Sequence, residues 1–215
     1  MTTRPGGSAL SEKGPAITPG DTQSRTEPRS WRSPWPWLAM VVVLVATAFQ
    51  LQSQGRPWWC SCGEPYLWVG DTQSSHNSQH LFDPYSFTHV LHGLVICGLL
   101  TWGLPRLPPL WRLWLAVCIE ALWEVVENSE FVIQRYRATT ASLGYQGDTI
   151  ANSLGDILSG AIGFVVASRL GLRYSIVLFV LTELVLLVWI KDSLLLNVIM
   201  LVYPVDAIKA WQLGH

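Results

Sequence analysis

The chain has 215 residues, half of them hydrophobic and only 13% charged, with a net charge of −1. A soluble domain carries about 25% charged residues, so this composition points away from a water-soluble globule and toward a multi-pass helical membrane protein. Near-neutral charge without a basic stripe argues against a nucleic acid partner, and the twelve tryptophans suit the two interfaces of a bilayer.

Residues 1–34 are rich in Pro, Gly, Ser and Thr and have no apolar period, which predicts a disordered cytoplasmic tail. The first apolar run covers 34–51. Ala46-Thr47-Ala48 within it resembles a signal-peptidase site, but the long polar lead and the continuing apolar run favour an uncleaved anchor. A long aromatic loop, 52–86, follows; it reads as a periplasmic lid over a polar cluster or as a cap on the bilayer surface. Cys60 and Cys62 lie in it as Cys-Ser-Cys. A disulfide closing so short a ring is strained, so the pair reads as two thiols or turn residues. Five further apolar segments cover 87–104, 110–126, 150–170, 174–190 and 193–208. Several fall short of the roughly 20 residues expected of a span and would have to tilt little or thin the bilayer. The expected fold is an all-α polytopic transmembrane helix bundle of about six spans, filling residues 35–212.

Lys and Arg set the orientation. With the N-terminus in the cytoplasm, ten basic residues fall inside, Lys209 among them, and four fall outside: Arg56, Arg135, Arg137 and Lys191. The expectation is therefore that both termini are cytoplasmic. The polar residues then gather toward the periplasmic face. His89 and His92 begin the second span, Glu124 and Glu127 end the third, and Asp148, Asn152 and Asp156 open the fourth. Glu183 is the exception, near the middle of the fifth, and would be the station for a proton path in a small transporter.

A carboxylate inside a bilayer is costly and usually faces a partner or a wet cavity. Glu120, Glu124 and Glu127 share a helical face at spacings of four and three. Glu120 lies deepest and reads as structural; Glu124 and Glu127 read as catalytic carboxylates, or each as satisfied by a neighbouring helix. His89-x-x-His92 also shares a face and supplies metal-type ligands, unless one His caps its helix and the other bonds a neighbour. Asp148 is a third metal candidate and equally a good N-cap. Asn152 and Asp156 lie one and two turns deeper and read as substrate-binding. Arg135 and Arg137 could clamp an anionic head group or neutralise the glutamates. Gly155, Ser159 and Gly163 form a small face for close helix packing. No His-Glu-x-x-His is present, and no Glu-x-x-His pair, which excludes the common zinc-protease and di-iron patterns.

Several strings together carry a resemblance: Cys60-Ser-Cys62-Gly63, Asn77-Ser78-Gln79-His80, His89-x-x-His92-Gly93, Trp123-Glu124-x-x-Glu127-Asn128-Ser129, Arg135-Tyr136-Arg137 and Gly147-Asp148-Thr149-x-x-Asn152-Ser153. The chain resembles, over roughly 54–212, a family of proteobacterial multi-pass inner-membrane proteins known only as a domain of unknown function. It departs locally where the family's Asp-Trp-Tyr stands as Asp83-Pro84-Tyr85. The resemblance implies the inner (plasma) membrane and no defined activity. A weaker likeness to VanZ-like membrane proteins rests on the early His, Glu124 and Asp148-x-x-x-Asn152-x-x-Gly155, and implies a role in the cell envelope.

Two functions stay open on this reading. One is metal-assisted hydrolysis or transfer on a lipid or lipid-linked head group, with His89, His92 and Asp148 holding a divalent metal and Glu124 as base. The other is a non-enzymatic envelope binding or assembly protein whose polar residues form a structural network. The partners expected are the lipid bilayer and an anionic lipid or lipid-linked head group.

Overall fold

A computed structural model describes residues 1–2, 33–140 and 144–214. The tail expected over 1–34 falls, apart from its ends, outside these residues. The helices are α1 (Trp35–Ser53), α2 (Ser86–Gly103), α3 (Pro109–Glu127), α4 (Glu130–Thr139), α5 (Ile150–Leu170), α6 (Leu172–Trp189), α7 (Leu194–Val202) and α8 (Asp206–Leu213). Among the described residues the only β pairing is an isolated bridge between Trp68 and Phe82.

Four helices, α1, α2, α5 and α6, are long and apolar enough to cross a membrane. The 19-residue α3 matches them in length but carries Arg112, Glu120, Glu124 and Glu127. It packs against α1, α2 and α5, and both Glu120 and Glu124 are buried in that packing. The apolar, uncharged faces of α1 and α6 stay outward, as lipid-facing helices require.

The segment expected as a sixth span does not form one helix. It divides into α7, nine residues, and α8, eight residues, separated at Tyr203-Pro204. Pro204 has no N–H to continue the ladder. A nine-residue helix is about 14 Å long and cannot cross a bilayer. Glu183 explains where α7 begins. Its Oε1 accepts the N–H of Leu194 (3.0 Å) and its Oε2 that of Leu195 (3.3 Å). Glu183 lies six residues before the end of α6, so α7 starts about 9 Å below that end and runs back out. Glu183, the residue a proton path in a transporter would use, thus has its carboxylate engaged at the start of α7. α8 then stays near the end where α6 stops: Lys209 donates to the Ala138 carbonyl (2.7 Å) and Gln212 to that of Lys191 (3.2 Å). The expectation that both termini share one face is thereby corrected. The start of α1 and the C-terminal helix lie at opposite ends of the bundle.

α2 and α5 form the most extensive helix pair. Their backbones touch: a Cβ at Gly93 would collide with the Gly160 carbonyl oxygen, and one at Gly163 with that of Val90. Leu91, Leu94, Leu113, Val117, Ile157 and Phe164 fill the core around the contact. At the polar end, the loop over residues 54–85 completes α5. The carbonyls of Ser78, Pro57 and Trp58 accept the N–H groups of Thr149 (3.0 Å), Ile150 (2.9 Å) and Ala151 (3.2 Å). Donors that a helix start leaves unpaired are thus satisfied by the loop. The loop is fixed on the bundle at this seam.

Gly93→Ala forces two backbones apart, an overpacking cost of about 1–3 kcal/mol. Its Tm in detergent should fall by roughly 2 °C or more. Gly98→Ala, on the same helix with open space around it, should leave Tm unchanged or slightly raised. Equal effects at the two positions would contradict the backbone contact.

Candidate functional site

The first two turns of α2 and the last two of α3 run antiparallel at the polar end. His89 is three residues into α2 and Glu124 three from the end of α3; His92 and Glu120 are six and seven. At 1.5 Å per residue these pairs stand at matching depths. His89 Nδ1 lies 3.3 Å from Glu120 Oε2 and 3.4 Å from Glu124 Oε1, and His92 Nδ1 lies 3.2 Å from Glu120 Oε1. Glu120 therefore bridges both histidines, where its depth alone suggested a structural part. The depth count is the signal in the sequence that assigns it. Gly160 lets it reach: a Cβ there would stand 2.7 Å from Glu120 Cγ.

Donor atoms of His89, His92 and Glu120 lie within 4.8 Å of one another, as do those of His89, Glu124 and Glu127. Charge-assisted hydrogen bonds are typically about 2.7–2.9 Å. The separations of 3.2–3.4 Å are longer. Those between Glu120 and the two histidines are long hydrogen bonds, and all of them also suit neighbouring ligands around one ion at about 2.0–2.2 Å. Two imidazoles and a carboxylate are a donor set for zinc, iron or manganese. Both Glu124 oxygens and the outer Glu127 oxygen, Oε2, are buried without a hydrogen-bond partner among the described residues. Such orphaned acceptors are costly unless a cation or proton meets them.

Asp148, expected as a third ligand, is engaged elsewhere. Its oxygens accept from Asn128 Nδ2 (2.9 Å) and the Tyr145 hydroxyl (3.0 Å), and its N–H donates to Asn128 Oδ1 (2.7 Å). Asn128 also donates to Ser153 Oγ (3.2 Å). The N-cap of α5 is Thr149, not Asp148. Asp156 Oδ1 accepts from the Ser86 hydroxyl at 2.8 Å, linking α5 to the start of α2. Both side-chain atoms of Asn152 are buried and unpaired among the described residues. The two arginines do not face the glutamates. Arg135 donates to the carbonyls of Leu201 (2.9 Å) and Val202 (3.4 Å), closing the end of α7, and Arg137 donates to the Tyr145 carbonyl. Both sit on or beside α4, a helix the sequence reading passed over. Its signal was Ser129, which caps it, with Val132, Ile133 and Tyr136 on its buried face.

A cavity of about 1000 Å³ runs through this end of the molecule. Its polar part is lined by His89, His92, Glu120, Glu127, Tyr136 and Asp148, and its deeper part by Val95, Ile96, Ile119, Phe179, Leu194 and Val198. Glu124, fully buried behind His89, does not line it; Glu127 does. Val95, Ile119 and Val198 are 43%, 44% and 51% exposed, so the apolar part opens onto the outer surface of the bundle. No Lys or Arg lines the cavity among the described residues.

Residues 51–214 match a family described as a protein of unknown function, DUF2585. The chain is 45% identical over 177 residues to a UPF0314 protein of Paracoccus denitrificans, covering 82% of this chain and 92% of that protein. A UPF0314 protein of Sinorhizobium fredii is 45% identical over 192 residues, 88% of this chain and 96% of its own. One of Rhizobium meliloti is 46% identical over 177 residues, 82% and 90% respectively. No solved structure matches the chain.

Just above the cavity, Asp83 is buried in the loop. Its oxygens accept from the N–H groups of Ser78 (2.9 Å) and Tyr85 (2.7 Å). Burial first, and then the Asp148 charge, push its pKa up to about 6 from 3.8, against those two donors. The folded protein thus holds this proton more tightly than the unfolded chain. The stabilisation is complete below about pH 4 and is lost as pH rises through about 6. Tm in detergent should fall between pH 4 and 7, and Asp148→Asn should move the midpoint of that fall to lower pH. A flat profile across this window would contradict the assignment.

Proposed function

This chain belongs to the DUF2585 family of proteins of unknown function, and on that footing we propose that it is a bacterial inner-membrane protein acting on the head group of an amphiphile. The amphiphile's chain lies in the apolar part of the cavity and its head group at the His/Glu cluster. One observation carries this reading. A single cavity joins the His89–His92–Glu120 donor set, with His89 and Glu120 buried and His92 half-buried, to an apolar chamber that opens sideways where lipid would lie.

In this reading five helices, α1, α2, α3, α5 and α6, cross the membrane. Moving Lys209 to the polar end changes the count of basic residues to nine inside and five outside, out of fourteen. The N-terminus stays cytoplasmic and the cavity faces the periplasm. Single cysteines introduced at the exposed Gln134 and at Gln212 should then react with an impermeant reagent from the periplasmic side, and one at Arg106 only after the cells are opened. Labelling of Gln212 with Arg106 would restore a sixth span.

His89, His92 and Glu120 are the residues to hold a divalent ion, which would supply Lewis acidity and a bound water of lowered pKa. Glu127, at the cavity wall with an unpaired oxygen, is placed to take a proton. Glu124 holds His89 from behind. With no Arg or Lys on the described wall, the charge to meet an anionic head group would come from such an ion or from His89 and His92. Metal-dependent hydrolysis or transfer on a lipid or lipid-linked head group follows as the reaction class. The rival, a binding or assembly protein, has its own support in the closed Asn128–Asp148–Tyr145–Ser153 network that ties α3 to α5.

Metal analysis after gentle detergent purification separates the two. His92→Ala and Glu120→Gln should each lose one equivalent of metal that wild type and Arg135→Ala retain. Val198→Trp, which fills the apolar chamber, should lose the co-purifying amphiphile seen by native mass spectrometry. Identical metal content in all four proteins would remove the enzymatic reading.

A further inference from the structure

The loop over residues 54–85 holds a second donor cluster, separate from the His/Glu site. Cys60, Cys62, His76 and His80 each present one ligand atom, and the four atoms lie within 4.8 Å of one another. Cys60 Sγ is 3.4 Å from His76 Nδ1, Cys62 Sγ is 3.7 Å from His80 Nε2, and the two nitrogens are 3.5 Å apart. In a tetrahedral site with Zn–S near 2.3 Å and Zn–N near 2.0–2.1 Å, the edges between ligands are roughly 3.3–3.8 Å. All three separations fall in that range. Neither thiol is in a disulfide, and the Cys62 N–H points to Cys60 Sγ at 3.4 Å, a donor for a thiolate. We propose that these four residues form a structural Cys2His2 site for zinc.

Half of the cluster is deeply buried: His80 is 1% exposed and Cys60 8%, with His76 half-buried and Cys62 exposed. Trp59 meets the His80 ring edge-on at 5.8 Å between centroids, and Tyr66 lies 5.1 Å from His80 and 6.4 Å from His76. This aromatic shell limits water, and four protein ligands leave no open position, as in structural rather than catalytic zinc sites. His76-x-x-x-His80 has the usual spacing of a histidine pair in such sites, and Cys60-x-Cys62 is one residue tighter than the usual cysteine pair.

The clamp has a consequence for the bundle. Between its two histidines lie Ser78 and Gln79. The Ser78 carbonyl accepts the Thr149 N–H (3.0 Å), and the Gln79 side chain donates to the Gly147 carbonyl (3.0 Å). The Gln79 carbonyl accepts the Thr149 hydroxyl (3.3 Å). Zinc therefore pins the stretch that holds the start of α5, and with it Asp148 and the roof of the cavity. A loop poor in regular structure gains from the ion the order that a small core cannot give it.

Cobalt(II) added to the full-length, chelator-stripped protein in detergent tests this. Thiolate ligation gives an ultraviolet sulfur-to-cobalt charge-transfer band that a histidine–carboxylate site cannot give. Wild type and His92→Ala should show it at one equivalent; Cys60→Ser and His80→Ala should not. As-purified wild type should resist maleimide at Cys60 and Cys62 until a chelator is added. That measurement needs no variant, so misfolding cannot obscure it. Absence of the band in wild type, equal alkylation with and without chelator, or copper in place of zinc on metal analysis would each overturn the proposal.

Discussion

The close approach of α2 and α5 is the constraint on which the rest of this protein depends. In lipid there is no hydrophobic force to press one apolar helix on another, so association rests on packing and on small residues that admit close contact. Here Gly93 meets Gly160 and Gly163 meets Val90, backbone to backbone. That contact does more than hold two helices. It leaves a groove over Gly160 in which the Glu120 side chain lies, and so delivers a carboxylate from α3 to both histidines of α2. A Cβ at 93 would force α2 and α5 apart, and one at 160 would displace the Glu120 side chain. Helix packing and site geometry thus meet at Gly160.

Two kinds of buried polarity meet at the end of this pair. Asn128 donates to Asp148 and Ser153, Tyr145 donates to the same Asp148, and such a network fixes how α3 and α5 sit. Both Glu124 oxygens, one Glu127 oxygen and both polar atoms of the Asn152 side chain are buried without a hydrogen-bond partner among the described residues, with His89 Nδ1 standing 3.4 Å from Glu124 Oε1. A satisfied network explains itself by structure. Unsatisfied groups inside a bundle are costly enough that a ligand, ion or proton must repay them. The contrast separates scaffold from site within a few ångströms, and it moves Asp148 from the second class to the first.

Much of the bundle was legible in the sequence because hydropathy and helical period report on a segment's own composition. The long helices appear close to the predicted limits, and the shared face of Glu120, Glu124 and Glu127 follows from spacing. What escaped depends on neighbours. The run over 193–208 is apolar enough to read as a span, yet Pro204 breaks it and Glu183, eleven residues away from Leu194, captures its start. Arg135 and Arg137 read as an anion clamp or as counter-charges to the glutamates; the carbonyls they donate to belong to α7 and to Tyr145, which no local pattern announces. Cys60 and Cys62 read as turn thiols because their partners lie fourteen or more residues further on, in a loop with no periodic signal. Face and depth can be counted along one helix, whereas partnership needs the third dimension.

The two donor sets differ in a way that bears on how both could work in one small protein. The cluster within the bundle is built from imidazole and carboxylate, ligands that accept zinc, iron or manganese. The cluster in the loop carries two sulfurs, and thiolate selects softer ions and holds them more tightly. An ion reaching the protein from the water-facing side meets the sulfur site first. Its capture orders the stretch from His76 to His80, on which the start of α5 rests. The loop would then be assembled before the deeper cluster is complete. Ligand softness would direct zinc to the loop site, and the order it brings there would reach the roof of the cavity through Ser78 and Gln79.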